Sequence, residues 1–365
     1  MNMKNSSIND IVIFTDAKDE TKSSTFSNTY IFQHNNKDYI VDSSCGNKRA
    51  SEIFIHCENM ESYDILCTHY HNDHSANNGQ IIKKDSIIYC HPRFEDKINY
   101  LRTNGTGQIL VMAREMNLRG MLKRFKMFPS FLITILVSLN KIAFFLPASF
   151  MFLVSFLYSK KSIGTIRSGK KNTQFFEYSQ MKDLPLNMKI RGWELEPGLY
   201  GIETPGHTDC HMAYYWVDKK ILFAGDACNF LNGNDIQFGN IESVHETLKI
   251  LRELVRTEKI DVLAMGHSYP IVGYKKIIDY FDDIIHKHHE IYELTVQVIE
   301  KKALNGPMDF DELYKYFVSS ESVLLQKIVK IAFPRSTLIF LDVYLYHRLI
   351  NLGYLKNNKG LWEKL

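Results

Sequence analysis

The sequence predicts an α/β protein built of stacked sheets with helices outside, and three observations carry that expectation. Two blocks, near residues 11–90 and 199–267, alternate short apolar runs with turn-like polar clusters, the pattern of strands. Other segments space their apolar residues as helices do. The overall balance of 45% hydrophobic and 23% charged residues is globular, which excludes a disordered or fibrous chain. Strand-rich halves with helices pack best as layered sheets covered by helices. At about 100–200 residues per domain, the 365 residues predict two domains, or one large domain with an appendage.

In the first block, Ile11–Thr15, Thr29–Gln33, Tyr39–Asp42, Asp64–Thr68 and Ile87–Cys90 read as strands, and Arg93–Asn104 reads as a helix. In the second, Leu199–Glu203, Met212–Val217, Ile221–Ala224 and Asp261–Met265 read as strands. Ile241–Thr257 places Val244, Leu248, Leu251 and Val255 at helical spacing. The last 90 residues (276–365) form a separate helical region. A long helix over Gly273–Lys302 is followed by Pro307–Val318, capped by Asp309 or Asp311, and then by Ser336–Leu352. The terminal YLKNNKGLWEK reads as strand-turn-strand, so the region looks like a winged helix.

Between the blocks the composition changes. From Phe128 to Ser159 the only charged residue is Lys141. Arg119, Lys123, Arg124 and Lys126 flank this run on one side, and Lys160, Lys161, Arg167, Lys170 and Lys171 on the other. A spanning helix needs about 20 apolar residues, but Asn140–Lys141 divides the run into two shorter pieces.

The formal net charge of +3 gives no global electrostatic reason to bind nucleic acid. The six cysteines form no CxxC pair, and the polar start, Met1 to Asp10, has no apolar signal region. Reduced thiols and a cytoplasmic location are expected, either peripheral or monotopic at a membrane if the apolar run meets one.

The chemistry concentrates in Thr68–His74, T-H-Y-H-N-D-H, directly after a strand. Three imidazoles and a carboxylate so close together are costly to place unless something binds them. Imidazole nitrogen and carboxylate oxygen are the usual ligands of zinc and similar divalent ions. At a strand end, His69 and His71 can converge on one ion while Asp73 and His74 face a second. Three more strand ends follow, each with a glycine that lets backbone approach closely: T-P-G-H-T-D with His207, F-A-G-D with Asp226, and A-M-G-H-S with His267.

Taken together, H-x-H-x-D-H, G-H-T, G-D and G-H resemble the metallo-β-lactamase-fold hydrolases, over roughly residues 10–120 and 195–275. The resemblance implies an αββα sandwich over residues 1–275, interrupted by an apolar helical insertion at 120–190, with a two-metal site at one sheet edge. It places His69, His71 and His207 on the first metal, Asp73, His74 and His267 on the second, and Asp226 between them. Zinc is the expected cofactor, two ions per chain, with iron and manganese as alternatives. The flavo-diiron branch has Glu where this chain has His71, and no flavodoxin-like domain follows, so hydrolysis is favoured over oxygen or nitric oxide reduction. Two divalent cations about 3.5–4 Å apart activate a bridging water as hydroxide and polarise the oxygen under attack. Asp73 both ligates and orients the nucleophile. Asp42, ending the strand YIVD, fits a role behind a metal ligand. His211 in T-D-C-H-M either supports a ligand, faces substrate or bonds a loop.

Ligands precede and follow the apolar run, so the chain cannot cross a bilayer there once and stay across. A re-entrant or interfacial hairpin on anionic lipid is one reading. A helical lid or homo-oligomer interface is the other. T-P-G-H-T-D-x-H-M with the tail looks like the branch of glyoxalase-II-like thioesterases and a mitochondrial-type endoribonuclease. The tail is a poor nucleic-acid reader, because its last helix offers only His347 and Arg348. Three functions follow: a membrane-associated hydrolase of an amphiphilic ester, thioester or lipid phosphodiester; a soluble thioesterase or endoribonuclease; and a non-catalytic membrane adaptor, for which a complete ligand set has no use.

Overall fold

The computed structural model describes residues 4–8, 10–17, 26–95, 167–228, 241–326 and 338–364. The chain divides into two compact units, with the boundary in the C-terminal region between Ile285 and His286.

The first unit contains two seven-stranded sheets. The first sheet runs in sequence order: β1 (Lys4–Ile8), β2 (Ile11–Thr15), β3 (Thr29–His34), β4 (Lys37–Val41), β5 (Asp64–Leu66), β6 (Ile88–Cys90) and β7 (Thr173–Phe175). β1 to β4 form an antiparallel meander, whereas β4, β5, β6 and β7 pair in parallel. Helix α1 (Asn47–His56) connects β4 to β5, and the short helices α2 (Asn72–Ser75) and α3 (Asn78–Ile81) connect β5 to β6. The second sheet comprises β8 (Lys182–Asp183), β9 (Arg191–Glu196), β10 (Leu199–Glu203), β11 (Met212–Trp216), β12 (Ile221–Gly225), β13 (Val262–Met265) and β14 (Ile271–Val272). α4 (Ile241–Glu258) joins the parallel pair β12 and β13.

Two-residue alternation explains the layering. Tyr30, Phe32, Tyr39 and Val41 from the first sheet meet Trp216, Ile221, Phe223, Val262 and Ala264 from the second in one buried core. The intervening residues point outward: Ile31, Ile40 and Ile65 pack with Ala50 and Ile53 of α1. Leu222, Leu263 and Met265 pack with Leu248 and Leu251 of α4 and with Ile277 and Phe281 of α5 (Tyr274–Ala303). Helix, sheet, sheet, helix is the αββα sandwich. The parallel strands bring their C-terminal ends to one edge, where ligand crevices form in open α/β sheets. At that edge Met212 N–H donates to the Thr68 carbonyl at 2.7 Å, joining the two sheets.

The second unit holds the second half of α5, α6 (Phe310–Val318), α7 (Leu338–Asn351) and a hairpin of β15 (Tyr354–Lys356) and β16 (Trp362–Lys364). Ile299, Leu313, Phe317, Leu345, Leu349 and Trp362 fill its core. Asp309, not Asp311, caps α6, accepting the Glu312 N–H at 3.1 Å. Arg348 is buried with its guanidinium 4.8 Å over the Tyr344 ring.

The hydrophobic pattern does not announce β1, α1, or β7 to β9. The Arg93–Asn104 helix begins as a 3-10 turn, Pro92–Phe94, where His91 Nδ1 accepts the Arg93 N–H, and the rest of that segment lies outside the described residues. The apolar run 128–159 lies wholly outside them. From Arg167 onward the chain is not helical insertion but sheet, with β7 pairing with β6 and β8 with β9. Among the described residues, no helix is long and apolar enough to cross a membrane. All six cysteines are buried and none is in a disulfide.

Candidate metal centre

All seven motif residues stand at that common edge. His69 follows β5, His71 caps α2, and the single turn of α2 carries Asp73 and His74. His207, Asp226 and His267 follow β10, β12 and β13. Their ligand atoms fall into three overlapping sets, each within 4.8 Å: His69, His71 and His207; His69, His74 and Asp226; and Asp73, His74 and His267. His71 Nδ1 lies 3.0 Å from His207 Nε2. On the other side, His267 Nε2 lies 3.1 Å from Asp73 Oδ2 and 3.4 Å from His74 Nε2. Asp226 Oδ2 sits between the two groups, 3.5 Å from His207 Nε2 and 3.4 Å from both His74 Nε2 and His267 Nε2.

Glycines permit this crowding. A Cβ on Gly266 would lie 2.1 Å from Asp226 Oδ1. Gly225 takes a left-handed φ of +49°, and a Cβ there would lie 2.8 Å from both His211 Nε2 and Thr68.

The two supporting residues expected from sequence take distinct places. Asp42 is buried behind His74, its Oδ2 2.7 Å from His74 Nδ1, and it also accepts the Thr68 N–H and hydroxyl, each at 2.8 Å. It does so from a left-handed φ of +55°, a cost that the surrounding contacts must hold in place. His211 is fully buried. Its Nε2 accepts the Asp226 N–H at 3.0 Å, so its Nδ1–H donates to Thr204 Oγ1 at 2.7 Å. Residues that sequence reasoning passed over also touch the ligands: Ser43 N–H donates to the His74 carbonyl at 2.8 Å, and Ser27 Oγ donates to the Asp73 carbonyl at 2.6 Å. Short polar residues in turns carry no signal that separates them from ordinary loop formers.

Electrostatics divides the imidazoles. Burial, together with the charge on His74, holds His69 well below the usual histidine value. Burial and His207 push His71 down to about 3. Burial also opposes charge on His74, but Asp226, Asp42 and Asp73 outweigh it and hold His74 well above the usual value. Asp226 and Asp73 likewise overcome burial at His267 and raise it to about 10. The same pairings keep Asp226 and Asp73 ionised against their burial.

The residues fit a divalent cation. His69 Nε2 and Asp226 Oδ1 are buried and have no hydrogen-bond partner. Leaving such an atom unmatched costs about 1–3 kcal/mol, and a cation at the centre would satisfy both. A donor set of imidazole nitrogen and carboxylate oxygen suits zinc, iron or manganese.

The model of the metallo-beta-lactamase superfamily matches residues 24–99, which include Asp42 and the whole of Thr68–His74. The chain's fold is shared with solved structures. A metallo-beta-lactamase family protein from Thermus thermophilus aligns with a TM-score of 0.50 at 15% identity, over 92% of each chain. A beta-lactamase domain protein from Burkholderia ambifaria aligns at 0.54 and 10% identity, over 99% of this chain and 93% of that one. In sequence, the chain is 34% identical over 71 residues to a hydroxyacylglutathione hydrolase of Legionella pneumophila (strain Corby), 20% of this chain and 27% of that protein. The match thus spans about a quarter of the curated relatives' length.

Proposed function

We propose that the protein is a dinuclear metal-dependent hydrolase, most readily of zinc, acting on an acyl ester, thioester or phosphodiester. The observation that carries this is Asp226, whose Oδ2 stands 3.4–3.5 Å from imidazoles of both ligand groups while its Oδ1 is buried without a partner. His69, His71 and His207 would hold one cation, and Asp73, His74 and His267 the other, with Asp226 shared. When bound, such cations bring water's pKa toward neutrality and polarise the oxygen under attack. The chain supplies the rest. Asp73 is the most open carboxylate of the site, its side chain 34% exposed against 8% for Asp226, so it meets incoming water and substrate. Asp73 accepts a hydrogen bond from the attacking water and so orients it. Asp42 fixes the His74 ring, and His211 fixes the Asp226 backbone. The Legionella relative is named for hydroxyacylglutathione, an acyl thioester, which makes thioesters the first substrates to try.

A second reading concerns the substrate's character. The described ends flanking residues 96–166 are tied to the site's loops: Arg93 Nη1 donates to the Asp209 carbonyl at 3.3 Å, and the Arg167 N–H donates to the Ala76 carbonyl at 2.8 Å. The apolar composition of residues 128–159 and their basic flanks favour an amphiphilic substrate at an anionic membrane surface. The helical order of the second unit and its terminal hairpin support a winged-helix-like appendage, read here as packing rather than nucleic-acid binding.

The test is turnover of acyl thioesters, esters and phosphodiesters by the zinc-loaded full chain, with and without anionic liposomes. Hydrolysis lost on chelation, restored by zinc and reduced at least ~100-fold by Asp73→Asn is expected. Turnover indifferent to chelator, or a chain that binds no metal, contradicts the proposal. RNA cleavage without thioester turnover moves the substrate assignment to phosphodiesters.

A further inference from the structure

Ser27 and Asn28 immediately precede β3, far in sequence from every metal-site motif, yet they join two of the site's loops. The Asn28 N–H donates to the Gly266 carbonyl at 2.5 Å. Asn28 Nδ2 donates to the Met265 carbonyl at 3.0 Å and to the Ser268 carbonyl at 2.6 Å. The carbonyls on both sides of His267 are therefore held by one residue. Tyr30 extends the clamp, its hydroxyl donating to Met265 O at 2.5 Å and accepting from Asn28 Nδ2 at 3.2 Å. The preceding residue grips the opposing loop, Ser27 Oγ donating to the Asp73 carbonyl at 2.6 Å. Its own carbonyl accepts from Ser44 Oγ at 2.8 Å, which ties it to the turn that carries Asp42. Ser27 and Asn28 are both buried. Asp73 and His267, whose loops they hold, meet at 3.1 Å.

We propose that Ser27 and Asn28 are positioning residues that set the spacing of Asp73 and His267, and with it the affinity for a divalent cation at that pair. The inference rests on the metal-centre reading above. The chemistry requires an amide at position 28. Every atom that Nδ2 touches is an acceptor, so only a donor fits; a carboxylate of the same shape would face two carbonyls and a hydroxyl with no N–H to offer. Packing alone would not distinguish Asn from Asp there.

The experiment is Co2+ and Zn2+ titration of the full chain, read by calorimetry and by the visible Co2+ bands, for wild type, Asn28→Ala, Asn28→Asp and Ser27→Ala. His267→Ala and His71→Ala serve as references for the two ligand groups. Asn28→Ala should weaken the binding phase that His267→Ala removes by about 10–100-fold, the usual effect of losing a partner behind a metal ligand. It should leave the His71-dependent phase in place. Asn28→Asp should be at least as damaging despite its shape, and Ser27→Ala milder. If Asn28→Ala does not fold, Ser27→Ala carries the test, because it removes only the bond to Asp73. Variants that lower the melting temperature but leave both affinities and the Co2+ bands unmoved overturn the proposal. So does weakening confined to the His71-dependent phase. If no phase of the wild type depends on His267, the two-ion reading fails first and this inference with it, whereas an intact two-phase wild type isolates any failure to Ser27 and Asn28.

Discussion

The two ligand groups of the candidate site hold the same side chain, imidazole, in opposite electrostatic surroundings. In the group of His69, His71 and His207, burial holds His69 well below the usual histidine value and pushes His71 down to about 3. In the group of Asp73, His74 and His267, carboxylates outweigh burial and draw positive charge in, raising His267 to about 10. The supports differ too. His74 is backed by buried Asp42, and the loops of Asp73 and His267 are held by Ser27 and Asn28. The His71 side relies on His69, whose Nδ1 lies 3.0 Å from Thr68 Oγ1. Histidine at a strand end therefore has no fixed behaviour; the number of carboxylates within reach decides whether it presents a lone pair or a proton.

The sharpest way to break this contrast is to delete one ligand from each group. His71→Ala and His267→Ala should each abolish one phase of metal uptake, leave the other measurable, and reduce hydrolysis by at least ~100-fold. Simultaneous loss of both phases in either variant would show that the halves act as one unit.

A smaller change probes the support. Asp42→Asn keeps the shape but removes the carboxylate behind His74. It should weaken the His267-dependent phase by about 10–100-fold, with the His71-dependent phase unchanged, as followed by zinc competition with a chromogenic chelator. Equal weakening of both phases would erase the distinction.

The fold and the ligands were legible in the sequence to different depths. Strand and helix alternation in Tyr39–Val41, Ile221–Gly225 and Val262–Met265 is dense in apolar residues because both sheet faces are buried, so these elements stand out. α1 does not stand out: its start at Gly46 has no side-chain cap, and its buried face includes Arg49. β8, two residues long and exposed, gives no periodicity to detect. The seven motif residues were visible because His and Asp are costly to cluster. Asp42 was visible as a lone carboxylate closing an apolar strand. Ser27 and Asn28 were not, because their partners lie 46 residues away for Ser27 and 237 and 240 away for the Asn28 side chain. Turn-forming residues look alike until the fold reveals which carbonyls they face.

A further contrast lies in the protons, which can be counted directly. A cation must displace a proton from any imidazolium that it binds, so affinity rises with pH up to the pKa of that ring. For the His267-dependent phase, with His267 near 10, affinity should rise across pH 6–9 by about tenfold per pH unit for each proton displaced. For the His71-dependent phase, with His71 near 3, that ring has no proton left to displace above about pH 5. Zinc titration of the full chain in two buffers of different ionisation enthalpy counts those protons phase by phase. The account predicts two phases, with the one lost in His267→Ala releasing more protons at pH 7 than the one lost in His71→Ala. A single phase, or equal proton release from both, would contradict it.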